Sequence, residues 1–184
     1  GAPGMFLASE REQTLADLRE AGGDGMLLQG DLTQPDQCAA IVDRLVEESG
    51  RLDILVNNAG APIDRAKIED CSLELWNQVL ATNLTSAFLA AKYQAPAMVA
   101  RGGGSLIFTS TFVGHTVAFP GMVTYAASKS ALIGLAQALA VEFAMQGVRA
   151  NAILPGGTDT AMYREMNDTK EAQDFVISLY PGRR

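Results

Sequence analysis

Residues 53–60 read Asp-Ile-Leu-Val-Asn-Asn-Ala-Gly, DILVNNAG, and residues 105–110 read SLIFTS. Each is a short apolar run that ends in small or polar residues. A strand with one wet face alternates apolar and polar side chains, whereas a strand of a parallel sheet covered by helices on both faces is apolar throughout. The two stretches therefore predict buried parallel strands. Working outward, strand candidates are Met5–Ala8, Gly25–Leu28, Leu52–Val56, Ser105–Thr109 and Val148–Leu154. Helical patterns lie between them at Glu10–Glu20, Pro35–Glu48, Leu73–Asn83 leading into Leu84–Ala100, and Tyr125–Met145. In the second of these, Thr33 is placed to cap, Pro35 suits the first turn and Asp36 the positive end of the dipole. Strands alternating with helices predict an α/β fold, a doubly wound parallel sheet, as a single domain over residues 1–184.

Composition narrows the function. The chain has 184 residues, 48% hydrophobic and 19% charged, which is globular and not disordered. Its net charge of −7 argues against nucleic acid or an anionic membrane surface as partner. It has no run of about 18 apolar residues and no charged-then-apolar leader. Cys38 and Cys71 have no metal-ligand spacing, so a reduced, cytoplasmic setting without a metal is expected.

Ligands of doubly wound sheets bind beyond the carboxyl ends of the strands. Asp31 follows the strand ending at Gln29, Asn57 to Gly60 follow DILV, Ser110 and Thr111 follow SLIFT, and Pro155 to Thr160 follow NAIL. Each has a plain reading as turn punctuation or loop bracing. The helix after SLIFTS adds TYAASKSA, residues 124–131. There Tyr125 and Lys129 are four apart and share a helix face. A neighbouring ammonium favours the phenolate and lowers a phenol's pKa, which suits tyrosine to acid–base work. The glycine runs at 101–105 and 21–25 lead from helix to strand, at the other end of the sheet, and read as helix stops. His115, the single histidine, reads as a loop residue, and the methionines as core.

GDLT at 30–33, NNAG at 57–60, Asn83 in ATNLTSAF, TST at 109–111, YAASK at 125–129 and VRANAILPGGTDT at 148–160 together resemble the short-chain dehydrogenase/reductase family over nearly the whole chain. The resemblance implies a Rossmann-like fold and an oxidoreductase moving hydride between a nicotinamide cofactor and a carbonyl or secondary alcohol. It implies Tyr125 as general acid/base, Lys129 lowering the tyrosine pKa and bonding the nicotinamide ribose, and Asn83 holding a water in a proton relay. A substrate-orienting hydroxyl falls first to Ser110, preferred by residue type, and next to Thr111, matched by its distance from Gly114. Cofactor contacts are implied at Asp31, Leu32, Asn58, Ala59, Gly60, Tyr125, Lys129, Pro155, Gly156, Thr158 and Thr160. Ala8 stands where an acidic residue would favour NAD, and Ser9 and Arg11 are near, so NADP is preferred to NAD.

The family's opening strand and glycine-rich turn have no counterpart, and its last helix and strand are missing after SLYPGRR. In a sheet ordered 3-2-1-4-5-6-7 the missing first strand is central, which would leave buried strands with unpaired edges. Two function classes follow: an active reductase or dehydrogenase, or a catalytically silent interaction module. Tyr125–Met145 has one apolar stripe at Leu132, Leu135, Ala136, Leu139 and Phe143 and another at Ile133, Ala140 and Ala144. Two apolar stripes need two partners, and the family resemblance implies a homodimer or homotetramer through this helix and Leu84–Ala100. No charged anchor in Ala161–Asp174 selects a substrate class.

Overall fold

Strands β1 (Ile54–Asn57), β2 (Gly104–Thr109) and β3 (Val148–Ile153) lie side by side in that order, all parallel. They belong to a computed structural model that describes residues 8–60, 66–160, 163–164 and 167–178. Helices α1 (Ala8–Glu20) and α2 (Pro35–Ser49) precede the sheet. Between β1 and β2 run α3 (Leu73–Leu80), a π-helical turn (Ala81–Thr85) and α4 (Ser86–Val99). Helix α5 (Val123–Phe143) joins β2 to β3, and α6 (Lys170–Ser178) follows. Three of the expected strands and every expected helix are therefore present.

The strand expected at Gly25–Leu28 is not formed. Met26, Leu27 and Leu28 are exposed and unpaired. A strand exists through its ladder partners, and among the described residues the sheet ends at β1, leaving this segment none. Of the strand expected at Met5–Ala8, Ala8 instead opens α1, and residues 5–7 lie outside the described residues. Thr33 does not cap α2. Gln34 occupies the cap without a side-chain bond, and the Thr33 hydroxyl donates to Asp31 Oδ1 instead.

One face of the sheet carries the core. Leu106 and Phe108 of β2 and Val148 and Ala150 of β3 pack against Ala87, Ala91, Ala95 and Met98 of α4 and Leu132 and Ala136 of α5. The alanines let the helix backbones come close to the strands, and the large residues then fill the layer at interior density. On the opposite face, Ile54 is 65% and Val56 56% exposed. The expectation of helices on both faces is thus met on one face only among the described residues, because a central partner for β1 is lacking there. The second stripe expected on α5 is also displaced. Ile133 and Ala140 are half-buried, and the outward row is Gly134, Ala138, Val141 and Met145.

The glycines at 102–104 end α4, as their place in the sequence suggested. Gly102 and Gly103 have φ of +90° and +133° and turn the chain into β2, while their amides donate to the Val99 and Met98 carbonyls. A Cβ on Gly103 would run into the Gly147 carbonyl oxygen, which also accepts the Gly104 amide at 3.2 Å. Gly103→Ala combines forbidden backbone geometry with a backbone clash and is expected to cost more than about 1 kcal/mol of unfolding free energy. Urea denaturation checks this, and a loss inside experimental error would mean that the crossing is not tight.

Candidate active site

Strands of a parallel sheet all deliver their carboxyl ends to one edge, and here the register does so for β1, β2 and β3. Two backbone bonds continue the alignment past the strands: Ser110 N donates to the Ile153 carbonyl at 2.9 Å and Phe112 N to the Pro155 carbonyl at 3.3 Å. Opposite, Ala66 N donates to the Gly121 carbonyl at 3.1 Å, bridging the loop after β1 to the entrance of α5. Tyr125 and Lys129 lie on the first turns of α5 above this edge.

Three consecutive residues at the end of β2 hold three different parts of the Tyr125/Lys129 unit. The Lys129 ammonium donates to the Thr109 carbonyl at 2.8 Å. The buried Ser110 hydroxyl donates to the Lys129 carbonyl at 2.7 Å. The Thr111 side chain is hydrogen-bonded to the Tyr125 phenol and accepts the Val113 amide at 3.3 Å. Ser110 has one proton, and the helix backbone takes it. Thr111 is the hydroxyl that faces the phenol.

Burial sets the electrostatics. It pushes the Tyr125 phenol above its ordinary value, with the Thr111 hydrogen bond pulling partly back. It pushes the Lys129 ammonium, only 5% exposed, below its ordinary value. Loss of water penalises the charged form of each group, which drives an acid up and a base down. The expectation that Lys129 lowers the Tyr125 pKa is not met in this state, because the ammonium turns to the Thr109 carbonyl and desolvation outweighs any charge effect on the phenol.

Asn83 sits in the π-helical turn between α3 and α4 and is 1% exposed. Such single-turn bulges rotate a helix's register and recur at functional sites. Its Nδ2 donates to Ser128 Oγ at 3.1 Å, so it joins the Tyr125/Lys129 group from the other side. Gly60 closes that group. A Cβ there would lie 3.2 Å from both Asn83 Oδ1 and Lys129 Nζ. At the end of β1, Asn57 Nδ2 is buried without a partner among the described residues.

The remaining expected residues stand apart in two loops. Asp31 braces its own turn, its Oδ1 accepting from the Thr33 amide at 2.9 Å and hydroxyl at 2.7 Å, and the Leu32 carbonyl accepts the Cys38 thiol at 3.2 Å. Asn58 and Ala59 are exposed. After β3, Pro155 is half-buried, Thr158 Oγ1 donates to the Gly156 carbonyl at 3.4 Å, and Thr160 Oγ1 accepts the Tyr163 amide at 3.2 Å. Arg164 forks onto Asp159 at 2.8 and 2.9 Å and holds that carboxyl below its usual range. His115 is an exposed loop residue, its amide bonded to the Phe112 carbonyl at 3.3 Å. Ser128 and the Thr109 carbonyl were not singled out from sequence, which carries no signal for a contact made across the fold. No cluster of three metal-ligating side chains occurs among the described residues.

The sequence profile of the short chain dehydrogenase family matches residues 6–171. The chain belongs to this family. It is 35% identical over 183 residues to the 3-oxoacyl-acyl-carrier-protein reductase FabG of Escherichia coli, a match taking in 98% of this chain and 72% of FabG. Among solved structures, one from Sinorhizobium meliloti described as a short-chain alcohol dehydrogenase is similar with a TM-score of 0.90 at 32% identity, over 98% of this chain and 71% of that one. Another, from Beutenbergia cavernae, is described as an NAD(P)-dependent gluconate 5-dehydrogenase with NADP bound at low occupancy. Its TM-score is 0.87 at 31% identity, over 96% and 70%. The fold is therefore the Rossmann-like fold of this oxidoreductase family. No helix among the described residues is long and apolar enough to cross a membrane.

The Asp31 turn makes one pH test available. The Thr33 hydroxyl, then the Thr33 amide, hold the Asp31 carboxyl below its ordinary 3.8. A depressed folded-state value means that the turn's contribution to stability is complete above the unfolded value and is lost as pH falls through the folded one. Thr33→Val removes the stronger bond, so carbonyl NMR titration should find Asp31 moved up towards 3.8. An unchanged midpoint would exclude the hydroxyl as the cause.

Proposed function

We propose that this chain carries the catalytic unit of a nicotinamide-dependent oxidoreductase acting on a carbonyl or secondary alcohol, with Tyr125 as general acid/base. The observation that carries the reading is the convergence of Tyr125, Lys129, Thr111 and Asn83 at the carboxyl edge of a family sheet. The residues present fit a nicotinamide nucleotide. Lys129 offers ammonium protons at a desolvated edge, and Gly60 leaves backbone uncovered beside it. When bound, the nucleotide supplies or accepts the hydride at the substrate carbon.

The side chains handle the proton. In reduction, Tyr125 donates its phenolic proton to the carbonyl oxygen as that oxygen gains charge. In oxidation, its phenolate form accepts the alcohol proton and becomes the phenol. Burial keeps the phenol protonated and so able to donate, and the ammonium, its own proton loosened by desolvation, is the group from which the phenolate is resupplied. Thr111 orients the substrate oxygen against Tyr125, replacing the preference for Ser110 drawn from residue type, since the Ser110 proton is committed to Lys129. Asn83 continues the relay away from the substrate.

The cofactor preference rests on α1. Arg11 borders a recess of about 290 Å³ with Glu12, Leu27, Leu28 and Gln29. No carboxylate stands at position 8 to bond a ribose 2′-hydroxyl, and a guanidinium suits a 2′-phosphate. NADP is the preferred cofactor. The silent-module alternative loses ground because the hydroxyl, phenol, ammonium and carboxamide are all present and linked.

Tyr125→Phe should lower turnover by at least about 10²-fold, the usual contribution of a general acid/base, while NADPH affinity by calorimetry stays near the parent's. Thr111→Val should lower turnover likewise, and Ser110→Ala should chiefly lower thermal stability. Steady-state rates of Tyr125→Phe within a few-fold of the parent would end the acid/base reading, and a turnover loss confined to Ser110→Ala would reverse the assignment of the hydroxyls.

The same reading extends to assembly. Gly134, Ala138 and Val141 form an exposed row on α5 that Met145 continues in the turn after it, with Val141 81% and Met145 98% exposed, and Phe88 is half-exposed on α4. Such a row of small and apolar side chains suits packing against its own copy across a two-fold axis. Light scattering should give a dimer or tetramer at micromolar concentration. Val141→Glu should break it, and a parent that stays monomeric would refute the interface.

A further inference from the structure

Ser128 lies between the two residues that name the motif, yet it is completely buried and touches neither substrate edge nor solvent. Its hydroxyl donates to the Tyr125 carbonyl at 2.9 Å and accepts Asn83 Nδ2 at 3.1 Å. A serine hydroxyl has one proton. Because the Tyr125 carbonyl can only accept, that proton is committed, and the hydroxyl can offer Asn83 only a lone pair. Asn83 must then present its NH2 group to Ser128. The carboxamide oxygen is thereby turned the other way, towards the spot beside Gly60 that also borders Lys129 Nζ. With an apolar side chain at 128 this constraint vanishes.

We propose that Ser128 is a positioning residue whose hydroxyl holds the NH2 end of the Asn83 carboxamide on the α5 side. It rests on the reading of Asn83 as part of the proton relay and adds a residue that the relay depends on. An oxygen directed at the Lys129 side supports an ammonium, whereas an NH2 there would oppose it. The π-helical turn fixes where the Asn83 backbone sits, and Ser128 fixes how its side chain is turned.

Two measurements test it, one independent of turnover. In the cofactor-free protein labelled with ¹⁵N-asparagine, the Asn83 side-chain NH2 should exchange slowly with solvent. In Ser128→Ala that protection should fall by about tenfold or more, since the donor has lost its buried acceptor. Ser128→Cys, which keeps the bulk and bonds weakly, should fall between the two and serves if the alanine variant does not fold. Unchanged protection in either variant overturns the proposal, whatever the chemistry of the site. In the active enzyme, Ser128→Ala should lower kcat about ten- to a hundredfold, as small misplacements of catalytic groups do, with substrate KM and NADPH affinity within about twofold. In an Asn83→Ala background it should add nothing. A multiplicative loss in the double variant overturns action through Asn83. A Tyr125→Phe variant that still turns over would instead count against the acid/base reading, leaving the exchange result to decide the role of Ser128.

Discussion

The fastening of the β2 end to α5 is the constraint on which the site depends. Lys129 reaches down to the Thr109 carbonyl, and Ser110 reaches up to the Lys129 carbonyl, so strand and helix are tied by two buried bonds running in opposite directions. A buried bond contributes about 1 kcal/mol net when neutral and about 1.5–3 kcal/mol when one partner is charged, while leaving a partner unsatisfied costs about 1–3 kcal/mol and more for a charge. The pair therefore specifies geometry more than it adds stability. With this register fixed, the next residue, Thr111, meets the Tyr125 phenol.

Small residues make that approach possible. Alanines along α4 and α5, and the glycines that bring α4 into β2, let backbones meet where side chains would hold them apart. Gly114 shows the same close approach in the loop after β2. Its φ is +85°, and a Cβ would lie 2.7 Å from Ser130 Oγ and 2.8 Å from the Ala126 carbonyl, so the loop after β2 rests directly on the first turns of α5. The Phe112 and Phe119 rings, 6.3 Å apart and edge to face, close that loop on itself.

Burial, more than charge pairing, tunes the two titrating groups in this state. Desolvation moves the two in opposite directions, the phenol up and the ammonium down, each towards its uncharged form.

The sequence by itself determined the kind of fold, the sheet edge at which the candidate site lies and the spacing of the phenol–ammonium pair. Continuous apolar strands, helix periodicity and the four-residue spacing of Tyr125 and Lys129 are local patterns, and local patterns are written in neighbouring residues. It also placed Arg101 to Gly104 correctly as a helix stop, since glycine at positive φ has one dominant cause. It could not place Gly25–Leu28, because a strand is made by its neighbour in the sheet and not by its own apolar residues. Nor could it choose between Ser110 and Thr111, which differ by one position and by opposite directions of the chain. The π-helical turn that aims Asn83, and the Ser128 hydroxyl that receives it, join residues 45 positions apart. Only the packing of α4 against α5 brings them together, and a contact that exists through packing leaves no period, spacing or composition for a sequence to display.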